Sequence, residues 1–155
     1  FQSFSSVRGG TGCWYYKDEN RIEPYVLEYD PDLVIIGGIS QRDDIAAIRS
    51  CIEQIRAARP GMEIVLMTGI FGRVDPRRSP NWVESVSAAD DTYRGKLKKL
   101  AAEEHCEYLD LEGVWGRYLM DSGRRYGWFC RDYVHGNARG RQVAARALER
   151  FFGGE

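Results

Sequence analysis

A chain of 155 residues is the length of one domain, and 43% hydrophobic with 12% aromatic residues gives it enough apolar surface to bury a core. Its 22 Lys plus Arg nearly balance 23 Asp plus Glu, so net charge exerts no long-range pull on nucleic acid, an anionic membrane or a polyanionic substrate. No apolar run approaches the roughly 18 residues that cross a bilayer, and the Phe1-Gln-Ser-Phe start lacks the basic and apolar regions of a signal peptide. The chain reads as soluble. It has no initiator methionine, which fits a processed or excised segment and leaves the compartment open, secretion included. The cysteines at 13, 51, 106 and 130 make no CxxC pair and no metal-ligand spacing with the histidines. Free thiols are expected, with Cys51 and Cys106 in the core.

In chain order, Phe4 to Arg8 reads as a short strand ended by Gly9-Gly10, and residues 20–29 as a helix. Asp32 to Gly37, an apolar run after Pro31, reads as a buried strand. Ile45, Ile48, Cys51, Ile52 and Ile55 then recur at helical spacing, with Arg49, Glu53, Gln54 and Arg56 between them, which predicts an amphipathic helix. Met62 to Thr68 is a second buried strand after Pro60-Gly61. Gly72 to Asn81, with two prolines and three arginines, is a surface loop. A helix follows over 90–104, a weaker strand over Cys106 to Leu111, and a last helix over 138–152. That last helix has Val143, Ala144, Ala147, Leu148 and Phe151 on its apolar face and is stopped by Gly153-Gly154. Strands alternating with helices, apolar throughout rather than every second residue, predict an α/β fold with a mostly parallel sheet covered on both sides. Ligands of such sheets bind beyond the carboxyl ends of the strands.

That rule separates the two histidines. His105 immediately precedes a strand and belongs at the opposite end of the sheet, whereas His135 lies in the irregular Phe129-to-Asn137 segment before the last helix. An Asp132-x-x-His135 turn can bring a carboxylate to imidazole Nδ1, fix the tautomer and leave Nε2 to take a proton from a serine hydroxyl. The same four residues also suit a surface Asp-His pair beside a helix-capping Asn137.

Pro31-Asp-Leu-Val-Ile-Ile-Gly-Gly38, the Asp132-Tyr-Val-His135 turn before a closing helix, Arg8-Gly-Gly-Thr-Gly12 upstream and Tyr108-Leu-Asp-Leu111 together resemble the SGNH (GDSL-type) hydrolases, in the same order and over nearly the whole chain. The resemblance implies a three-layer α/β/α sandwich with a flavodoxin-like, mostly parallel sheet. It also implies ester hydrolysis through an acyl-enzyme, with Asp132 and His135 as acid and base and Gly9 or Gly10 supplying an oxyanion-hole N–H. It implies no metal or organic cofactor.

Two departures from the family pattern stand out. No Gly-Asp-Ser nucleophile block occurs, so residues 1–155 are expected to form a single domain missing its first strand and nucleophile. An upstream segment of the same protein would then complete the sheet, unless Phe1 to Arg8 takes that place. In the third block, Gly37-Gly38-Ile39-Ser40-Gln41 replaces the family's Gly-x-Asn-Asp, and Gln41 or Ser40 becomes the substitute oxyanion donor. Ser40 also fits the Ser, Asp, His order of a nucleophile, although serine before Asp43-Asp44 is more simply a helix N-cap.

Other residues have plainer readings. Ser3, Ser5 and Ser6 are polar residues near a terminus, and Cys130 is a packed thiol. Asp110 is the reserve candidate for orienting His135, and buried hydrogen bonding is its structural alternative. Trp14 and Trp128 are the aromatic residues nearest the site in sequence and the candidates for contacting a small-molecule or carbohydrate ester, while Arg73, Arg77 and Arg78 suit a solvated loop. The leading function is an O-acyl esterase, with acetylated carbohydrate as one substrate class. The competing reading is a non-catalytic binding module that kept the scaffold and lost the nucleophile. A nucleotide-binding reading of Gly9-Gly-Thr-Gly12 fails for want of the full GxGxxG spacing.

Overall fold

The computed structural model describes residues 2–18, 20–37, 44–69, 77, 92–132 and 135–154. Three strands form a parallel sheet in the order β1 (Leu33–Gly37), β2 (Glu63–Met67), β3 (Glu107–Leu109). Leu33 pairs in register with Glu63, and Val65 with Glu107. The helices are α1 (Cys13–Tyr16), α2 (Ile22–Tyr25), α3 (Ile45–Ala58), α4 (Tyr93–Glu103), α5 (Leu111–Ser122) and α6 (Ala138–Gly153).

Side chains alternate across the pleat, so each strand feeds two separate cores. Val34, Ile36, Ile64, Leu66 and Tyr108 face α3 and α4 and pack against Ile48, Ile52, Ile55, Leu97 and Leu100. Leu33, Val65, Met67 and Leu109 face the other way, against Leu111, Val114, Ala147, Leu148 and Phe151 of α5 and α6. Burial on both faces explains the unbroken apolar runs and gives the three-layer α/β/α arrangement. One position breaks the pattern. Ile35 pairs with Val65 and shares its face, yet Val65 is 3% exposed and Ile35 43%. The α5–α6 layer stops short of the outer edge of β1, and among the described residues no strand pairs with that edge.

The expected faces of α3 and α6 are the buried ones. Ile48, Cys51, Ile52 and Ile55 are buried on α3, and Gly140, Ala144 and Ala147 on α6. Helix α6 begins at Asn137, whose Oδ1 accepts from the N–H groups of Arg139 (3.0 Å) and Gly140 (3.2 Å), and ends at Gly154 in the left-handed region with φ 72°.

Four sequence expectations differ from the structure. Residues 4–8 form no strand: they run exposed over the N-terminal tyrosines, with Phe4 stacked on Tyr29 at 4.9 Å and the Tyr16 hydroxyl donating to Ser6 O at 2.9 Å. This segment has too few apolar side chains to bury a face, so it cannot stand in for a sheet strand. The helix expected over 20–29 is broken into α2 and a 3-10 turn at Leu27–Tyr29. Ile22 and Leu27, five residues apart, would diverge on one continuous helix; the break at Val26 lets both reach the core, at 4% and 3% exposed. The strand expected to reach Leu111 stops at Leu109, because Asp110 caps the unforeseen helix α5 by accepting from Gly113 N–H at 3.2 Å. Finally, Asp44 rather than Ser40 occupies the N-cap position of α3. Residues 38–43, with Gly38, Ser40 and Gln41, lie outside the described residues, as does most of the 72–81 loop.

Cys51 and Cys130 are buried thiols, while Cys13 and Cys106 are half-buried. No helix among the described residues is long and apolar enough to cross a membrane.

Leu66, fully buried on the central strand, tests this packing. Leu66→Ala is expected to lower unfolding free energy by roughly 2–5 kcal/mol, read from the urea midpoint at unchanged m-value.

Candidate active site

The segment from Phe129 to Asn137 folds back on itself. Cys130 and Gly136 form an antiparallel bridge, Arg131 N–H donates to His135 O at 2.8 Å, and Asn137 N–H donates to Phe129 O at 3.0 Å. Its base is anchored in apolar packing, since Phe129 and Cys130 are buried with Trp115 and Leu119 of α5. The tip carries Asp132 and His135. The Asp132 carboxylate accepts the His135 backbone N–H at 2.7 Å, and both carboxylate oxygens lie within hydrogen-bonding distance of imidazole Nδ1, at 3.0 and 2.9 Å. The backbone bond sets the side chain of Asp132 before the ring arrives, so the three-residue spacing is what delivers the contact. In the Nδ1–H tautomer this leaves Nε2 as a bare base. His135 and Asp132 are 52% and 43% exposed at their side chains, so the ring is open to an incoming molecule. Arg131 approaches the same carboxylate at 3.4 Å.

Trp128 belongs to the same unit, because the Asn137 side-chain amide donates to its carbonyl at 2.9 Å. Its ring is 45% exposed, but the guanidinium groups of Arg139 and Arg124 sit over it, 4.2 and 5.4 Å from the centroid. The arginines therefore occupy ring surface on which a sugar would stack. Gly9, Gly10 and Trp14 belong to a separate N-terminal unit. Thr11 N–H donates to Arg8 O at 3.2 Å and closes the glycine turn, in which Gly10 has φ 74°, a left-handed value that favours glycine. A Cβ at Gly9 or Gly10 would meet nothing within 4 Å, so the turn stands in open space rather than in a packed cradle. Just downstream, a Cβ on Gly12 would lie 3.2 Å from the Asp44 carboxylate. Gly12 is thus a neighbour of Asp44 at the start of α3. Trp14 is 38% exposed and meets Tyr15 edge-on at 6.3 Å.

At the carboxyl ends of β2 and β3 the sheet carries a polar network that the sequence reading missed. Arg94, only 8% exposed, grips Asp110 with two nitrogens: Nε lies 3.0 Å from Oδ1, and Nη2 pairs with Oδ2. Thr68, fully buried, lies 3.5 Å from Asp110 Oδ1 through its hydroxyl and accepts the Glu112 N–H at 2.9 Å. Glu112 is 3.7 Å from Arg94. A Cβ at Gly113 would overlap the Asp110 carboxylate and the Arg94 guanidinium, so glycine is required for their close approach. Asp110 is thereby committed to Arg94 and to capping α5, and the aspartate beside His135 is Asp132. The signal for Arg94 was available, because it lies three residues before Leu97 on the buried stripe of α4. His105, with φ 49°, sits before β3 at the amino end of the parallel sheet, as expected. Among the described residues no group of three or more His, Cys, Asp or Glu side chains could hold a metal ion.

A family model for the GDSL-like lipase/acylhydrolase family matches residues 7–143. The chain belongs to that family. This acylhydrolase shares its fold with two solved structures. One is described as a GDSL-like lipase from Parabacteroides merdae ATCC 43184, with TM-score 0.66 and 18% identity over 94% of this chain and 70% of that one. The other is an acetyl xylan esterase, with TM-score 0.65 and 18% identity over 94% of this chain and 77% of that one. At that identity the likeness establishes the α/β/α fold. No curated protein matches the sequence.

Burial raises the Glu112 carboxyl above its ordinary value of 4.5, with Asp110 adding to the effect and Arg94 opposing it. A folded state that prefers the protonated acid gains stability below pH 4.5 and loses it as pH rises through the folded value. Glu112→Gln, neutral throughout, removes that loss. Urea titrations from below pH 4.5 to neutrality should show the wild-type midpoint falling relative to that of the variant; parallel curves would contradict the assignment.

Proposed function

We propose that this acylhydrolase is a serine esterase that hydrolyses O-acyl esters through an acyl-enzyme, with His135 as the general base and Asp132 as its orienting acid. The observation that carries this reading is the pair of carboxylate oxygens at 2.9 and 3.0 Å from His135 Nδ1, with the half-exposed ring leaving Nε2 free. In this mechanism Nε2 takes the proton of a serine hydroxyl as its oxygen attacks the acyl carbon. Asp132 stabilises the resulting imidazolium, which returns the proton to the departing alcohol. A water activated by the same nitrogen then releases the acid and regenerates the serine. Charge on the tetrahedral oxygen needs donors, each worth roughly 3 kcal/mol. The Gly9–Gly10 turn and Gln41 or Ser40 are the proposed sources, and the contact of Gly12 with Asp44 supports bringing these two segments to one place.

The nucleophile is proposed to lie on a segment preceding Phe1 that pairs with the outer edge of β1. Two observations support this: Ile35 is left 43% exposed on a face where its partner Val65 is covered, and the fold neighbours are longer chains. A sheet edge of this kind presents unpaired N–H and C=O groups suited to a further strand. Acetylated carbohydrate is the proposed substrate class. It is supported by the acetyl xylan esterase among the fold neighbours and by the exposed rings of Trp14 and Tyr25.

Fluorophosphonate labelling read by peptide mass spectrometry, alongside p-nitrophenyl acetate turnover, tests this proposal. A chain extended upstream is expected to label on one serine before Phe1, with turnover reduced about 10³-fold or more by His135→Ala and about 10²- to 10⁴-fold by Asp132→Asn. A label on Ser40 that is lost with His135→Ala would move the nucleophile to Ser40. Turnover indifferent to His135→Ala would end the proposal.

A further inference from the structure

Helix α1 is four residues long and buries none of them fully, yet it is held against α3 at two places. The Gln54 side-chain amide donates to Lys17 O at 2.8 Å, and the Cys51 thiol lies 3.7 Å from Cys13 O. The thiols of Cys13 and Cys51 are each also the largest influence on the other's pKa, raising that of Cys13 and lowering that of Cys51. Cys13 packs as a partly buried residue on the core cluster to which Cys51 belongs, and Cys51 is 2% exposed. Two cysteines on elements already docked, with the sulfur of one 3.7 Å from the carbonyl oxygen of the other, need little backbone movement to join.

We propose that Cys13 and Cys51 form a reversible disulfide that clamps α1, and the glycine turn preceding it, to α3, with a small-molecule disulfide as the oxidant. The outer thiol reacts first. Cys13 Sγ attacks one sulfur of the oxidant, releasing one thiol and leaving a mixed disulfide on Cys13. The Cys51 thiolate then attacks Cys13 Sγ and expels the second thiol. In total the two cysteines lose two electrons and two protons, and the oxidant is reduced to two thiols. Access sets this order, since Cys13 is half-buried and Cys51 is 2% exposed. Cys13 lowers the Cys51 thiol's pKa, with Lys17 helping, while burial and Asp44 act against it; the neighbouring Cys51, with burial, raises that of Cys13, which makes the first attack the slow step. Cys51 is therefore the resolving thiolate and Cys13 the accessible partner. Cys106 has no comparable partner sulfur, since its neighbours are the Arg56 guanidinium and Glu104 O. Cys130 is packed with Trp115, Leu119 and Phe129.

The test is to equilibrate the full chain with oxidised glutathione, unfold it in alkylating reagent and map the peptides. The expected product has lost two hydrogens and joins the Cys13 peptide to the Cys51 peptide, with Cys106 and Cys130 alkylated. Dithiothreitol should reverse the link, and the oxidised protein should melt roughly 5–10 °C higher. Cys51→Ser is expected to stop at a glutathione adduct on Cys13. Alkylation of both Cys13 and Cys51 after oxidation, a persistent glutathione adduct on Cys13 of the unaltered chain, or a link to Cys106 or Cys130 would each overturn the proposal.

Discussion

The nearly buried guanidinium of Arg94, closed on Asp110, is the interaction that the carboxyl end of the sheet depends on. It joins α4 to the point where β3 becomes α5. Asp110 faces Arg94 and caps α5 at once, while Thr68 extends the network to the end of β2. Removing Asp110 leaves the nearly buried guanidinium, among the described residues, with the more distant Glu112 as counter-charge, a loss at or below the roughly 3–5 kcal/mol of a fully buried pair. Gly113 is the steric counterpart of the same contact, since only a residue without Cβ lets the carboxylate and guanidinium meet. The strand ends, where a parallel sheet presents its binding edge, are thus fixed by polar chemistry, and the strand middles by apolar packing.

The Asp132–His135 pair rests on a different support. Its loop is anchored below by Phe129 and Cys130 packing on Trp115 and Leu119, and closed by backbone hydrogen bonds to His135 and Asn137. Asn137 serves both sides of this arrangement, capping α6 through its oxygen and holding Trp128 through its nitrogen. The proposed base and its carboxylate are therefore mounted on a packed, hydrogen-bonded support, as a base catalyst requires if its ring is to keep one tautomer.

Much of this was legible in the chain. The Ile45-to-Ile55 periodicity could be satisfied only by a helix with one buried stripe, and the apolar runs at 33–37 and 64–67 by strands apolar on both faces, of which β1 leaves Ile35 uncovered. The Asp-x-x-His spacing carried its own contact, because an aspartate can bond a backbone N–H and a side chain three residues on. The errors also have physical causes. Val7 and Phe4 suggested a strand but had no face to bury, and Phe4 stacked on Tyr29 instead. Leu111 looked like a strand end until Asp110 turned the chain into α5, a helix whose Leu111, Trp115, Leu119 spacing had been present all along. The role of Arg94 is not legible in the chain, because its partner lies sixteen residues away in sequence and is supplied only by the fold.

The central claim is that Asp132 holds His135 with Nδ1 protonated and Nε2 bare, and long-range 15N–1H NMR of the imidazole rings tests it most directly, with His105 as the internal control. The account predicts that neutral His135 is almost entirely the Nδ1–H tautomer and reverts toward an ordinary mixture in Asp132→Ala, while His105 does not change. A neutral His135 that is mainly Nε2–H, or a tautomer unaffected by Asp132→Ala, would contradict it.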